Sequence, residues 1–447
     1  MGIVASLFFT NDSEKQTLHR RIIPTDEQRE SQKKRWNDLA EYLKEQLRED
    51  SAYPIYSWLQ GSYKFATQLR PLMENEEFDI DLGIYFQWSG QPDDGNFTPL
   101  QLKRMVQERL EQYAQEQSDI KKVALPKMRC NRIHYGENFH IDVPVYHLDS
   151  SRNARALATQ NDEWEDSDPK LIYLWFKKQV PEETRSQVRR LIRYLKAWAI
   201  LNIKEGEGRP SAILLTVLVS ESYKRLSSSE TASEDEALAG ILKLILDRLK
   251  DDQKVCNPVN TKEILSERLG EQGFLKFIDH LQKFGDLATR AVAASTEVEA
   301  FTLWSNVYEH FFPWPEPEVR MLSHSKQDSK ILSAFTLNVS VKAERKKHID
   351  NEKNHWWGCN EISSVPKNCS ITFTLIKNDK LPHGARVEWT VRNEGYEAER
   401  TNDLGHKAGT GFTVTESSAY QGSHYMDCIV RQHGHIISMR RIPVIIV

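Results

Sequence analysis

The 447-residue chain has no apolar run approaching the roughly 18 to 20 residues that cross a bilayer; the longest, around Ala212–Ser220, stops far short. Cysteine is scarce. The five residues, Cys130, Cys256, Cys359, Cys369 and Cys428, are odd in number and form no C-x-x-C pair, which argues against a disulfide framework or an all-cysteine zinc site. Met1–Thr10 is apolar but has neither a basic leader nor a small-residue cleavage site, so a reducing cytoplasm is the expected compartment. No G-x-S-x-G, Walker A or G-x-G-x-x-G motif occurs, which removes the main signals for α/β-hydrolases, P-loop NTPases and dinucleotide-binding oxidoreductases. Positive charge is not in surplus either: 60 Lys+Arg face 64 Asp+Glu. Ile331–Val447 holds 15 basic and 12 acidic residues, so the acidic excess lies upstream, and long DNA or RNA is not an expected partner.

What is present describes a folded chain of two or three domains, with 39% hydrophobic and 28% charged residues. Thr25–Glu49 has helical spacing through Trp36, Leu39, Ala40, Leu43 and Leu47, and Tyr53-Pro54 ends it. Alternating runs at Phe78–Phe86, Val123–Tyr135 and Phe139–Leu148 follow, around a helical stretch near Leu100–Gln115. From Pro169 to Phe312 the pattern is helical, with segments at Pro169–Lys178, Pro181–Leu201, Ser211–Arg225, Glu234–Lys250, Thr261–Leu269 and Gly273–Ala294. After Pro313 the polar tract Ser323–Lys330 resembles a linker, and the period then falls to two. The expected organisation is α+β: a catalytic lobe over residues 1–168, a helical lobe over 169–315, a linker over 316–330 and a small all-β sandwich over 331–447.

The chemistry concentrates in Phe78-Asp79-Ile80-Asp81-Leu82. In a strand, Asp79 and Asp81 share one face while their neighbours enter the core, and two like charges at that spacing call for a cation or for solvent. Phe139-His140-Ile141-Asp142-Val143 alternates in the same way and adds Asp142. Three carboxylates on adjacent strands can hold two Mg²⁺ ions, one activating a hydroxyl and one neutralising a triphosphate leaving group. Gly61-Ser62, upstream, suits a turn that lets backbone and hydroxyl approach phosphate oxygens. On the Glu183–Trp198 helix, Arg185, Arg189, Arg193 and Lys196 line one edge, either a phosphate-contacting wall or a solvated basic face.

Gln60-Gly61-Ser62, Asp79-x-Asp81, His140-Ile141-Asp142-Val143-Pro144, Ser167-Asp168-Pro169, Arg193-Tyr194-Leu195-Lys196-Ala197-Trp198, Pro210-Ser211 and Asn257-Pro258 occur in an order that resembles the bacterial CD-NTases. These are the cGAS/DncV-like nucleotidyltransferases of the polymerase-β superfamily, and the resemblance spans roughly residues 30–315. It implies a polymerase-β-like core with a helical second lobe that joins nucleoside triphosphates, ATP and/or GTP above all, into a cyclic di- or trinucleotide messenger for CBASS-type antiphage defence. An effector protein would be reached through the product. Under it Asp79, Asp81 and Asp142 bind two Mg²⁺ ions, for which Mn²⁺ substitutes. Gln60, Gly61 and Ser62 hold the triphosphate, Lys196 and Ser211 contact phosphate or sugar, and Arg132 is a further nucleotide contact. Alternatives are a template-independent RNA nucleotidyltransferase, which shares the three carboxylates, and a non-catalytic nucleotide sensor.

Ile331–Val447 resembles the AGS-C sensor domain, which would carry a ligand or regulator site. Trp356-Trp357 lies beside Arg345, Lys346, Lys347 and His348, a cluster able to stack on a nucleotide but expected in the sandwich core or an interface. His433-x-His435 lacks a third ligand at clear spacing, so zinc is not expected there.

Overall fold

The computed structural model describes residues 2–13, 15–74, 76–136, 138–314, 331–333, 336–347, 349, 352–376, 381–433 and 435–447. The expected linker over 316–330, and His348 of the basic cluster, lie outside the described residues. The chain forms two compact units, Ile22–Thr289 and Gly2–Arg21 with Arg290–Val447. No helix among the described residues is long and apolar enough to cross a membrane.

The first unit is built on an eight-stranded sheet of β1 (Ile55–Gln60), β2 (Phe78–Gln87), β3 (Ile120–Val123), β4 (Asn131–Tyr135), β5 (Phe139–Val143), β6 (Val145–Asp149), β7 (Ala154–Ala158) and β8 (Trp164–Asp166). The order is β3-β4-β5-β2-β6-β7-β8, with β1 paired to β2. The alternating run expected over Val123–Tyr135 is not one strand: it begins on the last residue of β3, crosses a loop over 124–130 and ends in β4, which pairs antiparallel with β3. Ten-residue β2 runs parallel to β5 along its first half and to β6 along its second. Pro144 causes the change of partner, because it has no N–H for the ladder; its carbonyl accepts from Ile84 N at 3.0 Å. Asp26–Ser51 covers the sheet with Leu39, Leu43 and Leu47, and Pro99–Glu116 adds Leu102, Val106 and Leu110 to the same core. Thr25 starts the first of these helices with a reciprocal capping box to Gln28.

Helices follow at Pro169–Gln179, Glu182–Asn202, Ala212–Tyr223, Glu234–Asp251 and Gly270–Val292. Thr261–Leu269 departs from its expected helix. Cys256–Asn257 and Asn260–Ile264 form a two-stranded ribbon, followed by a 3-10 turn at Leu265–Leu269. Asn257 and Asn260 accept from the backbone N–H two residues on, at 3.1 and 3.3 Å, and these local turn bonds outcompete helix formation.

In the second unit, Phe8 packs edge-on against Trp304 at 4.8 Å and Phe312 at 5.2 Å, so the apolar N-terminal segment folds against the helix Glu297–Tyr308. Beyond it a six-stranded and a four-stranded sheet enclose one core that includes Val341, Phe373, Trp389, Cys428 and Ile442. Its elements include strands at His355–Cys359, Ile362–Val365 and Gly405–Thr410 and a helical turn at Tyr396–Thr401. Trp356 enters the core, whereas Trp357 on the next register position is 68% exposed. Asp427 is fully buried, gripped by Arg392 and by Arg441 at 3.0 Å; Arg392 also donates to the carbonyls of His310 and Phe312 at 2.8 and 2.6 Å.

Candidate active site

Strand register assembles the acidic corner. In β2, Ile80 and Leu82 are buried while Asp79 and Asp81 take the other face. Parallel pairing sets Asp81 opposite Asp142 and Asp79 opposite His140. Antiparallel β1 brings Gln60 opposite Asp81, and the chain then turns at Gly61 with φ +55° into the short helical turn Gly61–Lys64. A Cβ at Gly61 would lie 1.9 Å from Asp81 Oδ2, so only glycine lets this turn rest against the carboxylate.

The carboxylates differ in electrostatics. Arg132 is the cross-strand partner of Asp142, and its guanidinium contacts both carboxylate oxygens, Nη2 donating to Oδ2 at 2.7 Å. Burial pushes the Asp142 carboxyl up, but the Arg132 hydrogen bonds and charge outweigh it and hold Asp142 below the usual range. Asp81 is raised well above that range by burial, then by the charges of Asp79 and Asp142, against which Arg132 and Lys196 work. Such crowding of negative charge is what a divalent cation relieves. Carboxylate oxygens of Asp79 and Asp142 come within 4.8 Å of one another, and Asp81 stands in register beside them, so the oxygen donors fit a hard cation.

Two cavities meet at this corner. The larger, about 800 Å³, is lined by Ser62, Asp79, Arg132, Lys196 and Ser211 among others. The second, about 460 Å³, is lined by Gln60, Tyr146, Arg155, Asp168, Asn257 and Asn260 among others. Gly61, Phe65, Asp81 and Ile213 belong to both walls. Lys196 leans across from Glu182–Asn202 to donate to Thr67 O at 2.9 Å, and Arg193 donates to Ala66 O at 2.6 Å. Burial, then the charge of Arg193, pushes the Lys196 ammonium down to about 8.

A family description reading "Cyclic GMP-AMP synthase DncV-like, nucleotidyltransferase domain" matches residues 56–146, and "Adenylyl/Guanylyl and SMODS C-terminal sensor domain" matches 321–447. A cyclic GMP-AMP synthase of Escherichia albertii is 26% identical over 99% of this chain and 96% of its own length. A c-di-GMP synthase of Roseivirga ehrenbergii is 25% identical over 56% of this chain and 74% of its own. Among solved structures, Vibrio cholerae DncV in its apo form aligns with a TM-score of 0.57 at 19% identity, covering 69% of this chain and 95% of that one. The same protein with the linear intermediate 5′ pppA(3′,5′)pG gives 0.56, covering 69% and 96%. The chain is similar to the CD-NTases over nearly its whole length. It is a nucleotidyltransferase with a DncV-like core and a C-terminal sensor domain.

In this chain, Gly61, Ser62, Asp79, Asp81, Arg132, Lys196 and Ser211 line one cavity, and Asp142 joins them through Arg132 and the β2–β5 register. Ser211 also caps the helix Ala212–Tyr223, accepting from Leu214 N at 3.3 Å. Gln60 is set apart: its amide donates to Tyr85 Oη at 2.9 Å and accepts from Tyr146 Oη at 3.1 Å, on the side of the second cavity. Of the basic edge, Arg185 donates to Lys177 and Val180 carbonyls, so it anchors a helix end. Sequence reasoning passed over Arg155, Glu77 and His134, and gave His140 no role of its own. Arg155 pairs with Asp168 at 2.6 Å, and Asp168 caps Pro169–Gln179 through Lys170 N and Leu171 N; the Ser167-Asp168-Pro169 step was the available signal.

Proposed function

We propose that this chain is a cyclic dinucleotide synthase that joins two purine nucleoside triphosphates, ATP and GTP, in two successive nucleotidyl transfers with release of pyrophosphate. Two cavities that share the Gly61–Asp81 wall carry this reading, since ring closure needs two nucleotides side by side at one set of carboxylates. The relatives named as cyclic GMP-AMP and c-di-GMP synthases support it.

In this reading Asp79, Asp81 and Asp142 hold Mg²⁺, two ions, with Mn²⁺ able to substitute. A metal held there would supply charge neutralisation of the triphosphate and a lowered pKa for the attacking hydroxyl. The turn at Gly61-Ser62 presents backbone and hydroxyl donors to the triphosphate, and Lys196 and Ser211 close on it from the helical side. Arg132 keeps Asp142 ionised and faces the same cavity, within reach of a nucleotide. Gln60 acts by position: fixed between Tyr85 and Tyr146, it holds the end of β1 and so the turn. The 3′- or 2′-hydroxyl of one nucleotide attacks the α-phosphate of the other, and a second attack within the linear product closes the ring. The setting this family implies is CBASS-type antiphage defence in the cytoplasm, with the product switching on an effector protein and the C-terminal domain taking a regulatory ligand.

The test is incubation of the purified chain with ATP, GTP, CTP and UTP and Mg²⁺ or Mn²⁺, phosphatase treatment, and mass spectrometry beside an Asp79→Ala/Asp81→Ala control. A phosphatase-resistant cyclic dinucleotide absent from the control is expected. Extension of an added RNA primer without any cyclic product would overturn the reading in favour of an RNA nucleotidyltransferase.

A further inference from the structure

His134 of β4 and His140 of β5 are cross-strand partners, so their rings leave the same face of the sheet, with centroids 5.6 Å apart. Glu77, the residue before β2, reaches across both: its Oε2 lies 2.8 Å from Nδ1 of each ring. Two imidazole nitrogens and one carboxylate oxygen thus meet within 4.8 Å of one another. The far nitrogen of His140, Nε2, stands 3.0 Å from Asp79 Oδ1. The three side chains are sheltered without being sealed, with exposures of 24% for Glu77, 14% for His134 and 9% for His140.

We propose that Glu77, His134 and His140 form a transition-metal site of the zinc type, separate from the acidic corner that suits Mg²⁺. Two imidazoles and a carboxylate with a fourth position open to water match the preferences of Zn²⁺, whereas Mg²⁺ demands oxygen donors. Bonds of roughly 2.0 to 2.1 Å in a tetrahedron put donor atoms about 3.3 Å apart. Glu77 Oε2 is 2.8 Å from each nitrogen, so the carboxylate has only to part from each ring by about half an ångström to reach that spacing.

The partner of His140 is the second observation. A metal-ligating histidine hands its other ring N–H to a carboxylate, which fixes its tautomer and orientation. Coordinated through Nδ1, His140 carries its proton on Nε2, 3.0 Å from Asp79 Oδ1; the two atoms are close but not aligned, and a small turn of either side chain makes the hydrogen bond. With that bond made, the site orients one carboxylate of the acidic corner from behind. Glu77 and His134 are positioning residues in this arrangement, and the metal site stands whether or not the product is cyclic.

Binding to the full chain, stripped by chelator and desalted, is the test. Co²⁺ serves as the spectroscopic probe and Zn²⁺ as competitor, with a large excess of Mg²⁺ throughout. One Co²⁺ per chain with a four-coordinate visible spectrum, displaced by Zn²⁺, is expected. His134→Ala should weaken binding on the order of 100-fold or more, while Asp142→Asn should leave it within a few-fold. Should His134→Ala lose its fold by circular dichroism, His134→Gln replaces it, with the same loss expected. Absence of stoichiometric Co²⁺ in the wild type overturns the proposal. So does binding that survives loss of His134 or disappears with Asp142.

Discussion

Asp142 and Asp427 are both strand carboxylates clamped by arginine from a neighbouring strand, yet their surroundings differ in one respect. Asp427 has two guanidiniums and no competing anion, and Arg392 uses its remaining donors on the carbonyls of His310 and Phe312. Asp142 has one guanidinium and shares its corner with Asp79 and Asp81, so negative charge outruns its partners at the wall of a cavity. A saturated buried pair is architecture; an unsaturated one is a place for chemistry.

Substitutions sharpen that contrast. Asp142→Asn should lower nucleotidyl transfer on the order of 10³-fold with little change in thermal midpoint, measured by pyrophosphate release and by melting. Asp427→Asn should do the reverse, costing about 3–5 kcal/mol of stability by leaving Arg392 buried without its counter-charge, with turnover preserved in the folded fraction. Loss of turnover in fully folded Asp427→Asn would break the comparison. Gly61→Ala is next in size: its Cβ meets Asp81 Oδ2, so turnover should fall on the order of 10²-fold while far-UV circular dichroism stays as it was. The smallest effect concerns pH. Lys196 sits at about 8, so kcat/KM for nucleotide should decline as pH rises through about 8 and the ammonium loses its proton; Lys196→Arg, which stays charged, should move that limb upward. A profile unaltered by Lys196→Arg would remove Lys196 from the phosphate wall.

How much of this was legible follows from the range of the interactions. The three carboxylates could be read because strand alternation is local, and the helix bounds because caps such as Thr25 and Ser211 lie within four residues of what they cap. Which strands would neighbour was not local: only the β2–β5 register sets Asp81 against Asp142. Glu77 and His134 lie 57 residues apart, and Lys196 reaches a carbonyl 129 residues away, separations at which no sequence period operates. Thr261–Leu269 was misread because asparagine side chains closing turns on the backbone override a short apolar spacing.

The packing of Phe8 against Trp304 has a consequence in time. A ribosome delivers Gly2–Arg21 ahead of Ile22–Thr289, but its partners begin at Arg290, after the whole of that unit. At about 5–20 residues per second, the segment waits roughly 15 to 60 s with Phe8 exposed. The nucleotidyltransferase unit can close in that interval, while the second unit gathers segments from both sides of it in sequence and is complete only after Arg290–Val447 has emerged.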